Sequence, residues 1–157
     1  MPVSVFAAAK HVCHLSDWRV TNLKLQKILY LAHMSFVGQQ RRKPLIDEHF
    51  EAWEYGPVVR ALYDAVKMFG NSPIQDIFHG SVHDIDGTPE GRMLSSAWDH
   101  LKAKTAGELV GMTHINCGAW AKNYVSGMSR IIPTNDILQE YLWRMRRTNI
   151  QEQNVAA

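Results

Sequence analysis

Apolar residues recur every three or four positions along much of the chain, which is the spacing of one face of an α-helix. The best-marked apolar stripe consists of Leu25, Ile28, Leu29, Ala32 and Phe36. Thr21 precedes this stripe as a candidate N-cap, and Gly38 follows it as a candidate helix end. Lys24, Gln26 and Lys27 lie off the stripe, and we expect the two lysine charges to reach solvent or a partner.

Other segments carry their own helix-start signals. An N-terminal helix is predicted over residues 3–15, and a further helix over residues 56–70, because proline suits the first helical position. Thr88 followed by proline begins another helix, and Thr105 with Glu108 has the spacing of a capping box. These signals predict helices separated by short connections.

The last helix is predicted to begin at Thr134, with Asp136 in its first turn. Its buried side is expected to carry Ile137, Leu138, Tyr141, Leu142 and Met145. Strand signals are few: residues 50–55 are rich in aromatic side chains, and residues 74–78 could pair with them. The pattern therefore predicts a mainly α protein, in which residues 1–157 form a single compact domain of about six helices with at most a small β-ribbon.

Composition fits one globular domain in a reducing compartment. The 157 residues are 46% hydrophobic and carry a net charge of +2, which gives no reason to expect membrane or nucleic-acid binding from bulk charge. The two cysteines exclude a disulfide scaffold. The longest stretches without a charged residue span 13 positions, too few to cross a bilayer, and no basic segment precedes the apolar start. We therefore expect a cytoplasmic protein.

Catalytic and metal-binding signatures are not found in the sequence. It contains no GxGxxG, GxxxxGK[ST], HExxH or GxSxG motif, so neither an enzyme nor a cofactor is predicted. No single segment supplies four zinc ligands, and a site would need distant pairs such as His11 or Cys13 with His114 and Cys117. His79 and His83 flank Gly80-Ser81, which favours a loop over a helical ligand pair. We predict no metal, and Cys117 as a small buried side chain.

Basic residues cluster toward the end of the chain. They are Lys122, Arg130, Arg144, Arg146 and Arg147, and a second group is formed by Arg41, Arg42 and Lys43. Such groups could follow a phosphate backbone, but each is also typical of a solvated helix face or helix end. No recognisable helix-turn-helix turn accompanies them. A nucleic-acid-binding autorepressor is therefore kept as the alternative function.

Aromatic residues also cluster just before the Gly56-Pro57 pair. Trp53, Tyr55, Gly56 and Pro57 are typical of an extended chain that turns sharply into a helix. Large amphipathic rings beside such a turn fit either a core or a contact surface.

Three sequence segments together resemble the Panacea domain family, which includes the SocA-like antitoxins and proteins described as phage-associated. The segments are residues 21–30 (TNLKLQKILY), residues 52–58 (AWEYGPV), and Thr113-His114 followed by Trp120. The resemblance covers residues 15–142 in the family's order. Residues 116–119 (NCGA) depart from it, since the family often places acidic residues and proline there.

The resemblance implies a helical binding protein without catalytic residues. It implies an antitoxin that neutralises a cognate protein toxin, and SocA-like members are also described as adaptors that present a toxin to an ATP-dependent protease. The partner-binding positions carried over from the family are Lys24, Gln26, Lys27, Tyr30, Trp53, Tyr55 and His114. The positions expected to be structural are Gly56, Pro57 and Trp120.

Overall fold

Helices account for most of the ordered elements. A computed structural model describes residues 1–79 and 82–156, with side chains described as far as residue 150. Gly80 and Ser81, where a loop is predicted, lie outside the described residues. In the described part, the seven α-helices are α1 (Val5–Leu15), α2 (Asn22–Gln39), α3 (Arg60–Val66), α4 (Pro89–Leu101), α5 (Ala106–Thr113), α6 (Ala119–Asn123) and α7 (Thr134–Ala156). The strands are β1 (Glu51–Trp53), β2 (Gly56–Val58) and β3 (Arg130–Ile131), and a 3₁₀ turn covers Lys67–Phe69. The predicted mainly α fold is confirmed.

Helix α2 is the centre of the structure. It packs against α1, α4, α5, α7 and β2, and side chains all around it are buried, so it has no solvent-facing side along most of its length. It runs past Gly38, so the predicted helix end there is wrong. A Cβ atom at Gly38 would lie 2.0 Å from the Tyr141 ring, which shows that this glycine is required for the close approach of α7. Thr21 is the N-cap residue but makes no side-chain capping bond.

Two predicted helix starts are confirmed by their capping bonds. The Thr88 hydroxyl accepts a hydrogen bond from the Gly91 N–H at 3.0 Å, and Pro89 follows Thr88 at the first helical position. Thr105 and Glu108 bond each other reciprocally at the start of α5, as a capping box requires. In both cases the capping bond joins residues three positions apart, and both bonds are present in the structure.

The predicted helix start at Gly56-Pro57 is wrong. Residues 56–58 form β2, which pairs antiparallel with β1, and α3 begins only at Arg60. The central strand β1 also pairs antiparallel with β3, so the sheet order is β2-β1-β3. The predicted pairing of residues 74–78 with β1 is wrong as well, since β3 occupies that place and residues 74–78 form no strand.

The buried side of α7 differs from the predicted one. Ile137 is buried at 2% exposure, and Leu138 and Tyr141 pack against the core. Leu142 and Met145 are 39% and 41% exposed, so the prediction that they are buried is wrong. Among the described helices, none is both long enough and apolar enough to cross a membrane.

Candidate functional site

Two sequence motifs that lie far apart in the chain meet at the β1–β2 hairpin. The Gln26 side chain of α2 bonds both backbone groups of Val59, accepting from its N–H at 3.0 Å and donating to its carbonyl at 3.4 Å. One residue later, the Lys27 ammonium nitrogen Nζ donates to the Pro57 carbonyl at 2.7 Å. The side chains of α2 therefore satisfy the backbone at the end of β2 and just after it, which fixes the hairpin against the helix.

Lys27 is fully buried. Its exposure is 0%, so the expectation that its charge reaches solvent is wrong. Burial lowers the pKa of Lys27 from 10.5 to about 7, because the interior disfavours the charged amine. A residue that lies off the apolar stripe is buried here because α2 has neighbours on nearly every side.

Gly56 provides the space in which Lys27 lies. Its φ of +108° is a conformation that residues with a side chain rarely adopt. A Cβ atom at this position would lie 2.9 Å from Lys27 Cε and 2.9 Å from the Thr113 hydroxyl. Glycine is therefore required both by the turn and by the close approach of α2 and α5.

An aromatic stack lies beside the hairpin. The rings of His114 and Trp120 are parallel, with centroids 3.8 Å apart, and Tyr124 continues the stack at 4.8 Å from Trp120. The Trp120 indole N–H donates to the Trp53 carbonyl at 2.6 Å, which joins the stack to β1. Trp120 thus connects α6 to the hairpin.

The environment of His114 disfavours its charged form. Its pKa is lowered mainly by burial and secondly by the charge of Lys27, and the Tyr55 carbonyl partly opposes both effects. Among the described atoms, its buried Nε2 has no hydrogen-bond partner. The structure therefore places His114 with the buried amine of Lys27, under the turn of the hairpin.

Tyr30 belongs to a second buried polar cluster that the sequence motifs do not indicate. Its hydroxyl donates to Glu140 at 2.8 Å, and the same carboxylate accepts from the Ala119 N–H at 2.9 Å and pairs with Arg144 at 2.8 Å. Burial and the Glu140 charge raise the pKa of Tyr30 well above its ordinary value. The spacing of Glu140 and Arg144, one helical turn apart, is the signal that could have revealed this pair.

The exposed side of the hairpin presents aromatic surface. Tyr55 is 62% exposed at the turn, and the half-buried Trp53 packs edge-on against Tyr63 at a centroid distance of 4.8 Å. The Arg60 guanidinium lies over the Trp53 ring at 5.0 Å and pairs with Glu51 at 3.0 Å. We call the cavity beside these rings the hairpin groove; it is lined by Asn22, Leu23, Gln26, Trp53, Glu54, Tyr55, Val58, Tyr63, Lys67, Gly70 and Asn71.

Lys24 lies in a different place. Its amine donates to the Lys102 carbonyl at 2.6 Å and lies 5.7 Å from the centre of the Trp98 ring, at the end of α4. Lys24 is half-exposed and does not line the hairpin groove. The predicted partner-binding residues are therefore divided among several places. Trp53 and Tyr55 lie on the hairpin, and Lys24 is half-exposed elsewhere. Gln26 and Lys27 are buried behind the hairpin with the partly buried His114, and Tyr30 is buried in the separate cluster of Glu140.

The cysteines and histidines do not form a metal-binding cluster in the described part of the chain. Cys13 is buried, and burial raises the pKa of its thiol to about 12. Cys117 is exposed, so the prediction that it is a buried side chain is wrong. His11 bonds the Ser95 hydroxyl at 2.9 Å.

Comparison with known proteins identifies the family. The model of the family described as "Antitoxin SocA-like, Panacea domain" matches residues 25–121, which include the hairpin, the buried lysine, and His114 and Trp120 of the aromatic stack. The chain is 32% identical over 114 residues to Antitoxin SocA of Caulobacter vibrioides (strain NA1000 / CB15N), and the match covers 66% of this chain and 60% of that protein. The chain thus spans less than two thirds of the length of this curated relative. No solved structure matches. Since the family model covers more than half of its residues, the chain belongs to the antitoxin SocA-like, Panacea domain family.

Proposed function

We propose that this protein is an antitoxin that binds a cognate protein toxin and neutralises it, as a binding protein without turnover. Family membership and the similarity to Antitoxin SocA support this role. In this proposal the chain acts in the cytoplasm, and residues 1–157 work as one domain. The observation that carries the choice of surface is Tyr55, an aromatic side chain left 62% exposed at the turn of a fixed hairpin.

The hairpin groove has the properties of a protein-binding surface. Tyr55 and Trp53 supply large amphipathic rings, and Leu23 is 37% exposed beside them. Aromatic residues dominate the binding energy of many interfaces. Because Gln26 and Lys27 fix the backbone behind these rings, little conformational entropy is lost when a partner binds.

Neutralisation can follow two routes once the complex has formed. The antitoxin can block the toxin directly, or it can act as an adaptor that presents the toxin to an ATP-dependent protease. We propose the adaptor route as the one to test first, since the family resemblance implies it. Either route requires the same first step, which is binding of the toxin.

Growth rescue tests the proposal. Each gene adjacent to this one is expressed alone, and a gene that arrests growth is then co-expressed with this protein or with Tyr55→Glu. We expect the wild type to restore growth and to co-purify with the toxin, and Tyr55→Glu to fail in both. Met128→Glu is the matched control, because Met128 is 56% exposed and does not line the hairpin groove.

Three outcomes contradict parts of the proposal. If no adjacent gene is toxic, the antitoxin role is wrong. If Tyr55→Glu rescues as well as Met128→Glu does, the hairpin groove is not the contact surface. If rescue survives in cells that lack the main ATP-dependent proteases, the antitoxin blocks the toxin directly and the adaptor route is wrong.

A further inference from the structure

A groove with basic walls lies between the end of α1, the start of α2 and the end of α4. Its cavity has a volume of about 560 Å³. The lining combines basic side chains, one carboxylate and partly exposed apolar side chains. We call the following six lining residues the basic groove: Leu15, Asp17, Arg19, Lys24, Trp98 and Lys102. It shares no residue with the hairpin groove.

The positive charge of the basic groove is only partly neutralised. The Lys24 amine is bound to the Lys102 carbonyl at 2.6 Å, and among the described residues it takes part in no ion pair. Arg19 pairs with Asp17 at 3.9 Å, and Lys102 pairs with Asp99 at 3.8 Å. All four of these side chains are more than half exposed, so the two ion pairs contribute little energy. The groove therefore attracts negative charge.

The wall that carries Arg19 has a fixed backbone. The Ser16 hydroxyl accepts hydrogen bonds from the N–H groups of Arg19 and Val20, each at 3.2 Å. Asp17 and Trp18 both have a positive φ, of 55° and 57°, which residues with a side chain rarely adopt. Such a conformation persists only where the surrounding structure holds it. This part of the groove therefore loses little conformational entropy when a ligand binds.

We propose that the basic groove is a docking site for an acidic segment of a partner protein, in which carboxylates flank one apolar side chain. The carboxylates would form charge-assisted hydrogen bonds with Arg19, Lys24 and Lys102. The apolar side chain would cover Leu15, which is 40% exposed, and the Trp98 ring beside Lys24. The inference goes beyond the proposed function, because it concerns a separate surface and a partner that need not be the toxin.

Nucleic acid fits the basic groove less well. A phosphodiester backbone carries a negative charge at every nucleotide. Asp17 lines the groove and Asp99 lies 3.8 Å from the Lys102 amine, so a continuous run of phosphates would meet both carboxylates. A protein segment can place its carboxylates opposite the cations alone. The exposed aliphatic side chain of Leu15 likewise favours a protein over a phosphate backbone.

A second copy of this chain also fits less well. Its longest stretch without lysine or arginine is residues 68–91, which include Asp84 and Asp86. Ile85 lies between these two aspartates, but it is 5% exposed and packs in the chain's own core. This segment therefore offers carboxylates without the apolar side chain between them that would cover Leu15.

Fluorescence anisotropy with a designed peptide tests the proposal. The probe is a labelled peptide of about 12 residues, with a central leucine flanked by aspartates and glutamates. We expect Arg19→Glu/Lys102→Glu to weaken binding at least about tenfold and to remove most of its salt dependence. The two side chains are 83% and 55% exposed, so the fold should persist. Lys43→Glu/Lys122→Glu is the matched control, because it makes the same change of net charge at exposed positions outside the groove.

Two single variants separate the contributions of charge and apolar contact. Lys24→Met should weaken binding about fivefold, as expected for the loss of one ion pair. Leu15→Ser should weaken it about threefold and leave its salt dependence unchanged, since no charge is lost. Circular dichroism and the melting temperature check that each variant is folded.

Other results would overturn the proposal. They are an absence of binding at peptide concentrations up to about 1 mM, equal binding by Arg19→Glu/Lys102→Glu and the matched control, or equal binding of a peptide with lysines in place of its acidic residues. A dimer in sedimentation that Arg19→Glu/Lys102→Glu loses would assign the groove to a second copy. Duplex DNA that displaces the peptide and binds independently of Leu15 would assign it to nucleic acid. Since the probe is defined and needs no toxin, none of these results depends on the proposed function.

Discussion

Replacing Lys27 by methionine removes a buried amine with little change in side-chain volume. Lys27 is 0% exposed and makes one hydrogen bond, to the Pro57 carbonyl at 2.7 Å. Its pKa is about 7 in the folded protein, against an ordinary value of 10.5. Between these two pH values the unfolded chain binds a proton that the folded protein does not bind. The free energy of unfolding of the wild type therefore rises with pH across this window, and the stabilisation is lost as the pH falls toward 7.

The size of the effect follows from the pKa shift. One pKa unit corresponds to about 1.4 kcal/mol, so burial of the charged amine below pH 7 costs about 5 kcal/mol. Between pH 7 and pH 9 the wild type should regain about 2 kcal/mol of this cost. Methionine avoids the cost but leaves the Pro57 carbonyl without its donor, which costs about 1–3 kcal/mol. We expect Lys27→Met to be more stable than the wild type by about 2 kcal/mol at pH 7 and about equal to it at pH 9.

Urea unfolding at fixed ionic strength, at several pH values across this range, measures the difference. Lys24→Met is the matched control, because it removes a half-exposed lysine from the same helix. The Cys13 thiol, with its pKa raised to about 12, lowers stability as the pH rises above 9, but it does so equally in all three proteins. If the wild type and Lys27→Met give parallel curves between pH 7 and pH 9, the amine is not buried in neutral form and the reasoning is refuted.

Three further substitutions test the site and the fold by thermal or urea unfolding. Gly56→Ala should lower the free energy of unfolding by about 2–4 kcal/mol, because a Cβ atom would lie 2.9 Å from each of two atoms in a backbone of positive φ. Gly87→Ala is the control, since Gly87 also has a positive φ but has open space around it, and it should cost only about 1 kcal/mol. Equal losses for the two variants would contradict the steric argument. Trp120→Phe leaves the Trp53 carbonyl without its donor and should cost about 1–3 kcal/mol, whereas unchanged stability would mean that water replaces the indole. Thr105→Ala removes the capping box of α5 and should cost about 1 kcal/mol, and no loss would show that the cap is dispensable.

Features fixed by neighbouring residues could be predicted from the sequence. The starts of α4 and α5 depend on Thr88 and on the pair Thr105 and Glu108, whose bonds span three residues. The apolar stripe of α2 is likewise a local pattern, and its members Leu25 and Ile28 are fully buried. These elements form as predicted because the groups that stabilise them are close together in the chain.

Features fixed by distant residues could not be predicted in this way. Helical periodicity assumes that a helix has one solvent-facing side, whereas α2 is surrounded, and the bond from Lys27 to the Pro57 carbonyl spans 30 residues. Gly56-Pro57 has the composition of a helix start, but pairing with β1 and the bonds from α2 keep it extended. Glu140 shows the same limit, because its partner Tyr30 is 110 residues away.

The bonds from α2 also determine how the hairpin can meet a partner. Pro57 has no N–H to donate, and its carbonyl is taken by Lys27, while both backbone groups of Val59 are taken by Gln26. An added strand would need these backbone groups, so the β2 edge is closed to strand addition at these two residues. In the proposed complex, contact along this edge of the hairpin is therefore made by side chains, chiefly the exposed ring of Tyr55. The buried amine of Lys27 thus lowers the stability of the fold, but it holds the hairpin in one orientation and occupies the Pro57 carbonyl that an added strand would need.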